Sequence, residues 1–261
     1  PPLPSSSNLR ALYLHEQKST DSISGVLPPS YVNSTTLEHL YLTDLKLSGT
    51  VPDVFLPTGV WREIYLNKNG FNGTIPASLG LQQYLPVLDL SFNAFSGAVP
   101  VGIYDHPNRT HVWLKSNKLT RVRVSSIHSP PGASLRLLDA SRNLVNETGV
   151  STIFTQMSKL QYLYLNDNKL HGVILDNSTT PVWALRQLDV SENYLEGDIP
   201  GASYWGDIFT SSASAGRQFD ISQNLYTRVP SWFGAYTGDS GLTITLGSGL
   251  YDPSSDADAD A

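Results

Sequence analysis

Asn69, Asn93, Asn117, Asn143, Asn168 and Asn193 recur every 24 to 26 residues, each three residues after the last leucine-like residue of a Leu-x-x-Leu-x-Leu run. Leu88-Asp89-Leu90-Ser91-Phe92-Asn93 and Leu163-Tyr164-Leu165-Asn166-Asp167-Asn168 are two of the cleanest examples. Self-similarity at a fixed period in the twenties marks a solenoid, in which a unit buries its apolar face only by stacking on the next. The architecture follows before any residue is read for chemistry. Most strings that look like motifs are scaffold first.

Aligned on this period, units begin at about Leu9, Leu37, Trp61, Leu85, Arg109, Leu135, Leu160, Leu185 and Gly216, with a last strand near Leu242-Thr243-Ile244-Thr245-Leu246. Leu88 and Leu90 alternate with Asp89, the period of a strand with one buried and one wet face. The asparagine after the strand can bond backbone groups of the neighbouring coil that would otherwise be buried unpaired. Gly73-x-Ile75-Pro76 and Gly97-x-Val99-Pro100 predict a second short extended segment ended by proline, which needs no ladder donor. Ala77-Ser78-Leu79 then predicts a helical turn, and Trp61, standing where a unit's first leucine belongs, is core.

A repeat protein grows in one dimension, so the 261 residues read as one domain over 1–251, about nine repeats and a cap strand, with 252–261 an acidic tail or linker. A net charge of −6 with 15% charged residues leaves no basic footprint for nucleic acid. No window approaches 18 uninterrupted apolar residues, so no membrane insertion is expected within the chain. Opening on Pro1 without methionine, it reads as a processed or excised domain. Cysteine is absent, which removes disulfides and thiolate sites together. Five Asn-x-Ser/Thr sequons, at Asn33, Asn72, Asn108, Asn146 and Asn177, all placed off the expected strands, point to glycosylation and an extracellular or cell-surface setting.

The consensus Leu-x-x-Leu-x-Leu-x-x-Asn-x-Leu-x-Gly-x-Ile-Pro resembles the plant-type class of leucine-rich repeats, over roughly residues 9 to 246. The resemblance implies an α/β repeat: a curved solenoid with a parallel sheet on its concave face, and a short second sheet with 3-10 or helical turns on its convex side. That class is known in receptor-kinase ectodomains, in inhibitors of cell-wall-degrading enzymes and in protozoan surface antigens. It implies a non-enzymatic module, without cofactor, that binds a protein or peptide on the strand-lined face with room for a co-receptor. Departures are local. Leu45 stands where asparagine belongs, the first unit carries extra residues around His15 to Ser22, the fifth reads Arg121-Val122-Arg123-Val124 in place of Gly-x-Ile-Pro, and the eighth is about 31 residues long around Gly201 to Asp207. The cysteine-paired caps usual in plant ectodomains are missing, leaving Pro1–Asn8 and the strand near Ile244 to cover the ends.

The residue between the second and third leucine-like positions faces the concave side, and down the solenoid it reads Tyr13, Tyr41, Tyr65, Asp89, Trp113, Asp139, Tyr164, Asp189 and Asp220. Three consecutive tyrosines, with Trp113 after one interruption, make a stripe of large rigid anchors of the kind enriched at binding sites. The competing reading is that these aromatics only pack sideways on their neighbours. Adjacent columns add His39, Glu63, Lys68, His111, Lys115, Arg142, Tyr162 and Asp167, and the candidate ligand-binding set is Tyr13, His39, Tyr41, Glu63, Tyr65, His111, Trp113, Tyr162 and Tyr164. Asp89, Asp139, Asp189 and Asp220 each precede a serine by two residues; the pairs suggest acid/base or cation chemistry but are routine in such repeats and read as structural. No metal site and no catalytic residue stands apart from the repeat, and His39 and His111 lie about 15 Å apart by strand spacing, too far to share a metal. Trp183, Trp205 and Trp232 read as packing on the convex side or caps.

A recognition module is the leading expectation. A surface-coat protein with structural or adhesive repeats, or an inhibitor that caps a secreted enzyme through the same face, is the alternative.

Overall fold

A computed structural model describes residues 8–15, 23–122, 134–148, 153, 157–174, 184–199, 217–228 and 242–245. Each coil gives one strand to a ten-stranded parallel sheet: Ala11–His15, His39–Thr43, Glu63–Tyr65, Val87–Asp89, His111–Trp113, Leu137–Asp139, Tyr162–Tyr164, Gln187–Asp189, Arg217–Asp220 and Leu242–Thr245, in that spatial order. A second run of strands alternates with the first, in two pieces, with no strand of its own among the described residues of the sixth coil. Ser24–Val26, Lys46–Thr50, Gly70–Thr74, Ala94–Ala98 and Lys118–Arg121 form one parallel sheet; His171–Gly172, Tyr194–Asp198 and Leu225–Arg228 form the other. The first piece ends on the fifth coil, where Gly-x-Ile-Pro is lost and the register slips between Leu119 and Arg121. Backbone hydrogen bonds still cross the gap, from Leu144 N to Leu119 O and Asn146 N to Thr120 O on one side and from His171 N to Glu147 O on the other, with an isolated bridge between Thr148 and His171.

Why these residues make these strands is visible in the burial. Leu40, Ile64, Leu88, Val112, Leu138, Leu163 and Leu188 point inward from the long sheet, while Leu47, Phe71, Phe95 and Leu119 point inward from the second, and all join one core cluster running from Leu27 to Tyr226. Burying a side chain of this size contributes about 1.5–3 kcal/mol, so stacking, not local propensity, makes the coils stable. The glycine of Gly-x-Ile-Pro is required by the backbone. Gly73 has φ +73°, and a Cβ there would come within 2.9 Å of Thr50 Cγ2. Ala77–Leu81 is the expected helical turn, in 3-10 form.

The asparagines form a ladder with a constant bonding pattern. Asn143 Nδ2 donates to Leu114 O, Ala140 O and Ser141 O at 3.0–3.1 Å, and its Oδ1 accepts the Leu119 N–H at 3.0 Å. One side chain thus ties its own turn to the coil before it. Asn224 repeats the pattern on Val190, Ile221, Ser222 and Leu195, adding a rung that its distance from Asn193 had hidden. Immediately before the rungs, Asp44, Lys68, Phe92, Ser116, Arg142, Asp167, Glu192 and Gln223 all take φ of 53° to 57°, the left-handed region. Leu45, in the rung position of the second coil, is core at 8% exposure.

Arg109 departs furthest from the apolar pattern. It occupies the position of Leu37, Trp61, Leu85, Leu135, Leu160 and Leu185, all buried, and is itself buried completely. Its Nη2 donates to Leu79 O at 3.3 Å, while Nε and Nη1 have no partner among the described residues. Register, not charge, put it there.

Candidate functional site

The outward side of the long sheet carries the column expected from the sequence. Tyr13 pairs with Tyr41, Tyr41 with Tyr65, Tyr65 with Asp89, Asp89 with Trp113, Trp113 with Asp139, Asp139 with Tyr164, Tyr164 with Asp189, and Asp189 with Asp220. The neighbouring column runs His39, Glu63, Val87, His111, Leu137, Tyr162, Gln187 and Gln218. Because strands lie about 4.8 Å apart, each side chain on this face lies beside its counterpart on the next coil.

Towards the first coils the face is aromatic and internally bonded. Tyr13 and Tyr41 have ring centroids 4.6 Å apart, and Tyr41 and Tyr65 stack at 4.5 Å with 22° between planes. The Tyr41 hydroxyl donates to Glu63 Oε2, which also lies 3.0 Å from His39 Nδ1. The Tyr41 bond holds the Glu63 carboxyl below its usual range against the opposing effect of burial, and His39 adds to the lowering. Burial and the Glu63 hydrogen bond push the Tyr41 phenol up. Both readings of the stripe thus have a physical basis: the rings do pack sideways, yet Tyr13 remains 53% exposed. Trp113 stands apart from that stack. Beyond Asp89, it stacks instead on His111 of its own strand, centroids 5.5 Å apart at 14°. Burial, then Arg136, pushes the His111 pKa down.

Towards the last described coils the same column is acidic. Asp89, Asp139, Asp189 and Asp220 each accept, through Oδ1, the hydroxyl of the serine two residues on at 2.5–2.6 Å and its N–H at 2.9–3.1 Å. These serines are buried, so the pair closes the turn after the strand. Burial raises the Asp189 carboxyl, and Asp220 and Asp139 raise it further. Tyr164 donates to Gln187 Oε1, and Gln187 Nε2 donates to Gln218 Oε1 at 3.3 Å. Tyr164, Gln187, Asp189, Gln218 and Asp220 line a cleft of about 330 Å³. Gln187 and Gln218 continue the column of His39 and His111; following that column to its end would have found them. Tyr162 belongs to that column too, one strand before Gln187.

The sequons divide differently. Asn33, Asn108 and Asn146 are exposed outside the strands, whereas Asn72 is exposed within Gly70–Thr74, so the expectation that every sequon lies off the strands is wrong for that one. Alternate residues of that strand face water, which leaves Asn72 accessible in an extended segment. Asn177, Trp183, Trp205, Trp232, the Gly201–Asp207 insertion and the 252–261 tail lie outside the described residues.

The paired ladders, the asparagine rungs and the Gly-x-Ile-Pro turns make this a leucine-rich-repeat solenoid. A family model described as Leucine Rich Repeat matches residues 159–179. No curated protein matches the chain. Among solved structures it is similar to a TDR receptor, at TM-score 0.71 and 21% identity over 91% of this chain and 38% of that one. It is similar to the Arabidopsis receptor kinase HAESA, solved with the peptide hormone IDA and the co-receptor SERK1, at TM-score 0.71 and 23% identity over 94% of this chain and 39% of that one. A plant ice-binding protein also shares the fold, at TM-score 0.54 and 20% identity over 92% of this chain and 81% of that one. The chain thus spans about two-fifths of the length of the two receptors. Likeness at these identities is likeness of fold.

Proposed function

We propose that this chain is an extracellular or cell-surface recognition module that binds a protein or peptide ligand on the concave, long-sheet face. It has no catalytic role. The contact residues are Tyr13, His39, Tyr41, Glu63, Tyr65, His111, Trp113, Tyr162 and Tyr164, and a co-receptor engages the complex. The observation that carries this reading is the Tyr13–Tyr41–Tyr65 stack with Glu63 fixed against it. Rigid aromatics with a polar handle gain contact area at small entropic cost. HAESA, whose fold this chain shares, was solved in complex with a peptide hormone and a co-receptor, which supports a ligand of that kind. The sequons at Asn33, Asn72, Asn108, Asn146 and Asn177 carry glycans in the secretory pathway.

The test is Tyr41→Ala, Tyr65→Ala and Trp113→Ala together, assayed for binding to the surface of candidate partner cells. Loss of binding with an unchanged melting temperature supports the site, and retained binding removes it. Expression through a secretory host followed by glycosidase treatment reads the glycans as a fall in mass; no fall argues against the extracellular assignment.

A further inference from the structure

The cleft at Tyr164, Gln187, Asp189, Gln218 and Asp220 differs from the rest of the face in what its groups leave unfinished. Asp189 and Asp220 are direct partners on adjacent strands, about 4.8 Å apart along the ladder direction. Each commits Oδ1 to its serine, and no donor reaches the second oxygen of either among the described residues. No described ion pair includes either one, although Glu38, Glu63 and Asp44 are all paired with cationic side chains nearer the start of the chain. An exposed acid pair alone would simply be solvated. Here the two line a cleft of about 330 Å³, within the range of small-ligand sites. One wall is already ordered by the Tyr164-to-Gln187-to-Gln218 hydrogen-bond chain.

We infer that this cleft takes a cationic side chain, arginine or lysine, of the peptide ligand, with Asp189 and Asp220 sharing its charge and Tyr164 packing along its stem. The inference rests on the recognition reading above and adds to it the class of ligand: a basic peptide, anchored by charge at this end of the face. Two in-register carboxylates present a fork that a guanidinium or ammonium spans, and the charge-assisted bonds so made are the stronger kind. A cation arriving between them also relieves the repulsion from Asp220 that adds to the effect of burial in raising the Asp189 carboxyl.

The experiment pans a phage-displayed library of random dodecapeptides against the intact chain. The expected clones share an arginine or lysine at one position. They bind Asp189→Asn and Asp220→Asn about tenfold more weakly each, the loss of one charge-assisted contact. Asparagine keeps the oxygen that holds the serine, so neither variant should melt below the parent. Gln218→Lys is the second variant: its ammonium fills the cleft from within, so basic clones are lost while the melting temperature holds or rises. Clones that need Tyr41 and Tyr65 yet show no basic position, or that ignore all three cleft variants, overturn this inference and leave the recognition reading standing. A library that yields no clones overturns the recognition reading and this inference with it.

Discussion

The two ends of the outward face stand on the same frame and carry opposite chemistry. Around Glu63 the charge is already partnered, by Tyr41 and His39, and the rings beside it are stacked on each other. Around Asp189 the carboxylates hold only their own serines, and the cleft between them opens outward. Yet the inward residues, Ile64 at one end and Leu188 at the other, are buried alike, and an asparagine rung follows each strand. Period-two alternation separates the jobs: inward positions set stability, and the outward column is free to vary coil by coil. A solenoid can therefore keep an aromatic station and an acidic station on one sheet without refolding either.

The largest effect should show that the frame is shared. Asn93→Ala and Asn193→Ala each remove three donated bonds and one accepted bond in the same geometry. Buried backbone groups left unpaired cost about 1–3 kcal/mol, so each variant should lose about 3 kcal/mol in chemical denaturation. A large loss for one and none for the other would break the idea of a common frame. Next in size is Arg109→Met, at the middle of the molecule. Burial pulls the Arg109 pKa from the usual guanidinium range down to about 9. Since the folded value is the lower one, the charge penalises the fold fully below pH 9, and the penalty fades only as pH climbs from 9 towards the ordinary guanidinium value. At neutral pH an unbranched apolar side chain should therefore stabilise by about 1–3 kcal/mol, measured by the same denaturation.

These contrasts were legible in the sequence to the extent that they are periodic. The leucine spacing places the inward and outward columns without error because a strand alternates strictly. The outward order from Tyr13 to Asp220 follows from it. Asn224 escaped because a long coil displaces it from the period, and the second sheet divides where Arg121 and then Glu147 stand in the glycine position of two successive units. Non-periodic facts were hidden. Tyr41 meets Glu63 only across a strand boundary, 22 residues apart, through a rotamer choice that no spacing records. Burial of Arg109 is invisible until its unit is aligned with its neighbours, and the left-handed turn before each rung has no single residue type to announce it.

Acid should divide the two ends by sign. The Glu63 carboxyl is held below its ordinary 4.5, so its contribution is present above that pH and lost as pH falls through the lower folded value. The Asp189 carboxyl is raised above 3.8, so its contribution is present below 3.8 and lost as pH rises through the folded value. Melting temperature followed from pH 7 to pH 3 should then show Glu63→Gln less stable than the parent at pH 7, by up to about 1 kcal/mol, the worth of a part-exposed pair. Asp189→Asn should be the more stable variant at pH 7. Both differences should shrink at pH 3. If the two variants shift in the same direction at pH 7, the ends are electrostatically equivalent and the contrast fails.

The smallest effect lies at the seam between the stations. Phe92 follows the Asp89–Ser91 turn, has φ +55°, and leaves its ring 43% exposed. The seven other described residues in this position are polar: Asp44, Lys68, Ser116, Arg142, Asp167, Glu192 and Gln223. A bulky aromatic gains nothing from the left-handed region, whereas asparagine tolerates it through local hydrogen bonding. Phe92→Asn should therefore stabilise by about 0.5–1 kcal/mol, seen as a higher denaturant midpoint with an unchanged slope. Strain kept at an exposed ring is the pattern expected where the ring has a use outside the fold. If the variant is more stable and also loses binding, the aromatic station extends across the seam to Phe92. If it is more stable and binds as before, Phe92 is no part of the aromatic station.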